Sequence, residues 1–309
     1  MSATLAAAPA AASTVSKTRI ESVDLIRGVV MILMAGLVKL PLAAVGTIGV
    51  VIIAGHNLMD SHMPTLLAGL EQNPLSGLWK IMYVGFFAGP IQFGADGPNL
   101  IVLYSIIPWI GVMAAGYAFG KVLTLESARR RRHCFAIGLS AIGLFLVLRG
   151  FNLYGDPRPW HVFVLGRNGA PPMPALFSFL NTTKYPASLS FLLMTLGPII
   201  TLIPLLEGLT GAVAGAITLF GRVPFFFYML HIPLIHALAL LVSKIRLGYV
   251  SPWLFANHPM GNPEPPEGYV WSLPLLYLVW GVTIVLLYFA CRWFAALKAR
   301  RSDWWLRYI

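Results

Sequence analysis

The chain has 309 residues, 58% of them hydrophobic and 11% charged, with a mean hydropathy of +0.76 and a net charge of +11. That balance excludes a soluble globular domain and points to an integral membrane protein. Apolar runs of near-helical span length, without period-two alternation, disfavour a β-barrel, and the basic residues fall in short blocks that read as topology and anionic-lipid contact, with no nucleic-acid partner.

In chain order, residues 1–18 are rich in Ala, Ser and Thr and read as a disordered cytosolic leader. Glu21, Asp24 and Arg27 then lead straight into an apolar run, the start of a membrane helix at an interface, where Asp24 and Arg27 (i, i+3) form a pair. The first crossing is expected within Leu25–Ala54 as one tilted helix kinked at Pro41. Two helices there would make seven crossings in place of six.

The other five crossings are expected within Leu100–Gly120, Cys134–Leu153, Tyr185–Leu206, Val223–Val242 and Leu273–Cys291. The fold class is therefore all-α, a polytopic membrane bundle of about six helices spanning residues 19–292, with a basic aromatic tail at 293–309. Fourteen Lys and Arg fall on one side and seven on the other, with Lys39 ambiguous, which puts both termini in the cytoplasm; the inner membrane is the expected location. Long outer loops follow at Asn57–Asn99, Tyr154–Lys184 and Lys244–Ser272, the first holding an interfacial or re-entrant stretch over Leu78–Gly94. Gly111, Gly116 and Gly120 give the second crossing a small-residue face for close helix packing. A homo-oligomer is left open.

An ionisable group at membrane depth is costly, so each such residue carries a functional expectation. His231, in the middle of the fifth crossing with Pro233 nearby freeing the carbonyl of Met229, is the candidate proton-transfer residue. His236 is five residues on, about 140° around the helix, so the two do not make a metal pair, and no metal site is expected. His56, Asn57 and Asp60 close the first crossing, with His56 and Asp60 spaced to pair, and form either a helix-end cap or a site wall. Asn181 and Lys184 open the fourth crossing, where Asn181 or a neighbouring Thr caps and Pro186 sits in the first turn. Arg149 reads as a snorkelling arginine beside Asp156. Cys134 and Cys291 read as buried reduced thiols.

Four blocks carry a resemblance: R-I-E-S-V-D-L-I-R-G-V-V-M-I-L-M from Arg19, Pro108–Gly120, Phe179–Pro198 and Phe220–His236. In this order they resemble the heparan-alpha-glucosaminide N-acetyltransferase-like family of membrane proteins, whose bacterial members often carry a domain of unknown function, the DUF1624 type. The resemblance implies acyl transfer, with acetyl-CoA as cytosolic donor and an extracytoplasmic glycan or small-molecule acceptor. It also implies a central histidine just beyond the first helix. Here Met34-Ala35 runs directly into G-L-V-K-L-P, which implies an internal deletion of several helices and leaves that histidine without a matching position. On this reading His231 is the catalytic candidate, His56, Asn57, Asp60, Asn181 and Lys184 line the substrate path, and the protein is an acyltransferase or a catalytically impaired relative. The alternatives are a non-catalytic membrane protein that binds lipid, glycan or a partner, and, third, a transporter.

Overall fold

The computed structural model describes residues 32–62, 65, 68–69, 76–85, 89, 91–92, 99–100, 102, 105–161, 173–256, 269–301, 303 and 306. The leader, the Asp24–Arg27 pair and the first part of the expected first crossing lie outside them. The main helices are α1 (Leu42–Gly55), α2 (Ile106–Leu123), α3 (Ser127–Gly150), α4 (Ala175–Leu180), α5 (Leu189–Leu206), α6 (Ala212–Arg222), α7 (Pro224–Leu247) and α8 (Leu273–Arg300). Among the described residues six segments are long and apolar enough to cross a membrane: Leu42–His62, α2, α3, α5, α7 and α8. The chain is thus a multi-pass helical membrane protein. Its described strands are one two-residue antiparallel pair, Ile91–Gln92 with Asn99–Leu100.

The first crossing differs from expectation. Residues 32–37 are helical, but the chain turns at 38–40 and α1 begins only after Pro41, whose extended ψ of 139° interrupts the helix. Proline lacks the N–H that would carry the helix through, so the break is a stop and not a kink. The crossing is then extended by a 3-10 turn, His56–His62, which takes the beginning of the expected outer loop into the span.

Other boundaries move for similar local reasons. Arg129–Arg132 lie inside α3, which begins at Ser127. The N-cap of α5 is Ser188, whose side chain accepts from Phe191 N at 3.1 Å; Asn181 does not cap it, and Pro186 lies in the preceding turn. α7 ends on Gly248, whose φ of 78° is the left-handed conformation that glycine adopts freely.

The chain divides into two compact units, residues 1–207 and 208–309. In the first, α1 packs on α2 and α3 packs on α5 through small residues. A Cβ at Gly49 would strike the backbone N of Ala115 and come within 2.8 Å of Gly111 O; one at Gly111 would meet Ile52 Cγ2 at 2.7 Å. Across α3 and α5, a Cβ at Gly138 would overlap Thr201 Oγ1 and approach Gly197 O to 2.8 Å. Helices in contact at backbone distance hold by dispersion, the attraction left when both faces are as apolar as lipid. Gly116 and Gly120 face open space, so only Gly111 of the expected stripe packs.

At the basic end of this unit, the Arg130 guanidinium grips Glu207 through two bonds, Nε–Oε1 at 2.5 Å and Nη2–Oε2 at 3.0 Å, tying α3 to the end of α5. The second unit packs Val223, Cys291, Phe294 and Leu306 together, with Phe226 stacked on Phe294 at 4.1 Å. Cys134 and Cys291 are buried and free.

Candidate functional site

Two polar constellations stand out, one in each unit. In the first unit the end of α1 is stitched to the turn before α5. His56 and Asn57 are buried, which places them inside the protein and not on an outer rim. The expected His56–Asp60 pair does not form. In a 3-10 turn residues three apart eclipse one another, and Asp60 Oδ2 accepts instead from Asn57 Nδ2 at 2.6 Å. Asn57 Oδ1 accepts from Leu189 N at 2.8 Å and so caps α5 from a distance.

His56 turns both ring nitrogens to carbonyl oxygens: Nδ1 to Ile52 and Ile53 at 3.1 and 3.0 Å, Nε2 to Ala187 at 2.8 Å. Each ring nitrogen thus lies within hydrogen-bond distance of a backbone carbonyl, so both are engaged by the chain itself.

The Tyr83 hydroxyl sits between the His56 carbonyl, to which it donates, and Asp60 Oδ1 at 3.1 Å. Burial, and next the charge of Asp60, push the Tyr83 phenol well above its ordinary value, so it is a donor at any physiological pH. Tyr154 donates to Ala54 O at 2.6 Å, and burial raises its phenol too.

Beside this lies Arg149, which does not snorkel. It is 3% exposed and donates to the carbonyls of Phe179, Arg158, Ser178 and Asn181 at 3.1, 2.6, 3.3 and 3.1 Å, with Asp156 at 3.7 Å. Asp156 in turn accepts from Arg158 N, Thr183 N, Thr183 Oγ1 and Ser188 Oγ. The group is saturated almost throughout. Among its described members the Ser190 hydroxyl, on a pocket of about 170 Å³, is a buried polar group with no hydrogen-bond partner. Asn181 contributes its carbonyl to Arg149, and Lys184 is exposed, its Nζ 5.2 Å from the Tyr185 ring centroid. The arrangement binds chain segments to one another.

The second unit is different. His231 lies on α7 with its ring stacked on Phe227, 5.7 Å between centroids. Its Nδ1 is 2.5 Å from the carbonyl of Tyr228, three residues back, and not bonded to the carbonyl of Met229. A carbonyl only accepts, so Nδ1 is the donor there, and Nε2 makes no hydrogen bond among the described residues, an arrangement that orients a histidine side chain. His231 borders a cleft of about 670 Å³ with His236, Ile232, Ile235 and Ala239 of α7, Trp253, Leu254, Tyr269, Val270, Trp271, and Leu276 of α8. That volume suits a ligand-sized molecule, and apolar walls with a few polar groups are the usual composition of such sites. The angle of about 140° between His231 and His236 does not keep them apart, because the short helix Trp253–Ala256 and residues 269–271 wrap that flank of α7. His236 lies edge-on to Phe255 at 5.7 Å and makes no hydrogen bond among the described residues.

Sequence reasoning missed Tyr83, Tyr154, Thr183 and Ser188 in the first unit and Trp253, Tyr269 and Trp271 in the second. The signal for the aromatic residues was there, since Trp and Tyr flanking a crossing mark polar-ended contacts near the interface. No group of three or more His, Cys, Asp and Glu suited to a metal occurs among the described residues. No family model, curated protein or solved structure matches this chain.

Proposed function

We propose that the protein is a membrane acyltransferase in which His231 is the base that activates an acceptor in the cleft of the second unit. The observation that carries this is the placing of His231: Nδ1 is held by the Tyr228 carbonyl, the ring borders a ligand-sized cleft, and Nε2 makes no hydrogen bond among the described residues. The acyl chemistry comes from the sequence resemblance. His231 Nε2 would take the proton of an acceptor hydroxyl or amine as its oxygen or nitrogen bonds to the acyl carbon. The carbon–sulfur bond of acetyl-CoA then breaks, and the proton passes to the departing thiolate. The exposed Arg222, Arg292 and Arg300 of the same unit offer the cationic groups that phosphates of acetyl-CoA require. His56 is not given this role, because both of its nitrogens are engaged.

A second reading, a non-catalytic membrane protein, is favoured by the saturated polar group of the first unit, which leaves little to offer a substrate. Detergent-purified protein given radiolabelled acetyl-CoA decides between them. The acyltransferase transfers label at a rate that His231→Ala lowers, whereas a binding protein leaves the thioester intact.

A further inference from the structure

The walls of the second-unit cleft point to the class of its occupant. Ile232, Ile235, Ala239 and Leu276 offer no hydrogen bonds, so a glycan would give up its water for two imidazoles, Tyr269 and the indoles of Trp253 and Trp271, too few groups for its many hydroxyls. Each buried hydroxyl left unpaired costs about 1–3 kcal/mol, which argues against a sugar ring there. A plain hydrocarbon chain fails for the opposite reason, because it offers nothing to His231 Nε2 and the His236 ring, which make no hydrogen bond among the described residues. The occupant that meets both conditions is apolar over most of its length and carries a hydrogen-bonding group at one end.

Position agrees. His231 lies seven residues, or about 10 Å at 1.5 Å per residue, from the Pro224 end of α7 and about 24 Å from the Leu247 end. Ile232 and Ile235 are 57% and 47% exposed, so the cleft opens sideways, where a membrane presents hydrocarbon.

We infer that the cleft binds a single-chain lipid alcohol, its hydroxyl at His231 and its chain running along α7 toward Trp253 and Tyr269. Resting on the acyl-transfer reading, this makes a membrane-resident amphiphile the acceptor, in place of the extracytoplasmic glycan that the family resemblance implies. The ester forms between the alcohol oxygen and the acetyl carbon, and the hydroxyl proton leaves by way of His231 to the coenzyme A thiolate.

The test uses the full chain in phospholipid nanodiscs with 1-monooleoylglycerol and, separately, glucosamine. Binding of radiolabelled monooleoylglycerol is expected to persist in His231→Gln and to fall at least tenfold in Ala239→Trp, which fills the cleft. Ala237→Trp, which does not border the cleft, serves as the folded control and keeps binding. With labelled acetyl-CoA, label should enter the chloroform-extractable product. Binding without transfer supports the amphiphile site and removes the acyl-transfer reading. Transfer to glucosamine alone leaves that reading standing and overturns this inference, as does binding that Ala239→Trp leaves unchanged.

Discussion

Replacing Arg149 by Leu tests whether this side chain is a clamp or a surface charge. In the structure its guanidinium serves four carbonyl oxygens at 2.6–3.3 Å and stands 3.7 Å from Asp156, both charged side chains being 3% exposed. Leucine fills much of the volume but leaves those carbonyls without their donor and Asp156 without its counter-charge. Removing one partner of a buried pair costs about 3–5 kcal/mol, and that is the loss expected for Arg149→Leu. Arg149→Lys keeps the charge, but three donors on a point-like ammonium do not span four carbonyls, so a smaller loss of about 1–3 kcal/mol is expected. Equilibrium unfolding of the purified protein in mixed micelles, titrated with SDS, reads both. If Arg149→Leu costs under about 1 kcal/mol, in the range of exposed pairs, Arg149 reaches solvent and the clamp is wrong.

Three further outcomes follow from the same geometry. Asn57→Ala strands the Leu189 N–H and one oxygen of Asp60, and should cost about 1–3 kcal/mol in the same assay. Gly49→Leu forces α1 off α2 and should cost about 1–3 kcal/mol by overpacking, whereas Gly116→Leu, which faces open space, should stay within about 0.5 kcal/mol. The Glu207 carboxyl is held below its ordinary value of 4.5, chiefly by the hydrogen bond from Arg130. A depressed carboxyl stabilises above its unfolded value, and that contribution is lost as pH falls through the folded one. Thermal unfolding of the wild type should therefore show an acid loss beginning below pH 4.5 that Arg130→Gln reduces, and identical acid limbs would count against the pair.

The crossings were legible because hydropathy is additive along the chain; their ends were not, because caps depend on single residues. Ser188 outcompetes Asn181 at the start of α5 only because its hydroxyl meets Phe191 N. Pro41 reads as a kink until the turn at 38–40 is seen. Arg149 reads as a snorkelling residue because three of its four carbonyl partners, within residues 178–181, lie about thirty positions away, and none of the four carries a side-chain signature. His56 and Asp60 were paired on α-helical spacing, and the tighter 3-10 turn gives Asp60 to Asn57. His231 was legible as an ionisable group in an apolar run. Its bond to the Tyr228 carbonyl and its cleft were not, because both depend on which backbone carbonyl and which later aromatic residues come close.

The central claim is that His231 acts as a base, and chemical rescue tests it most directly. Acetyl transfer from labelled acetyl-CoA to monooleoylglycerol should fall by about 10²–10⁴ in His231→Ala, the worth of a positioned general base. Added imidazole should restore it in a saturable way. An undiminished rate in His231→Ala would contradict the account, and so would a wild-type protein that transfers no label.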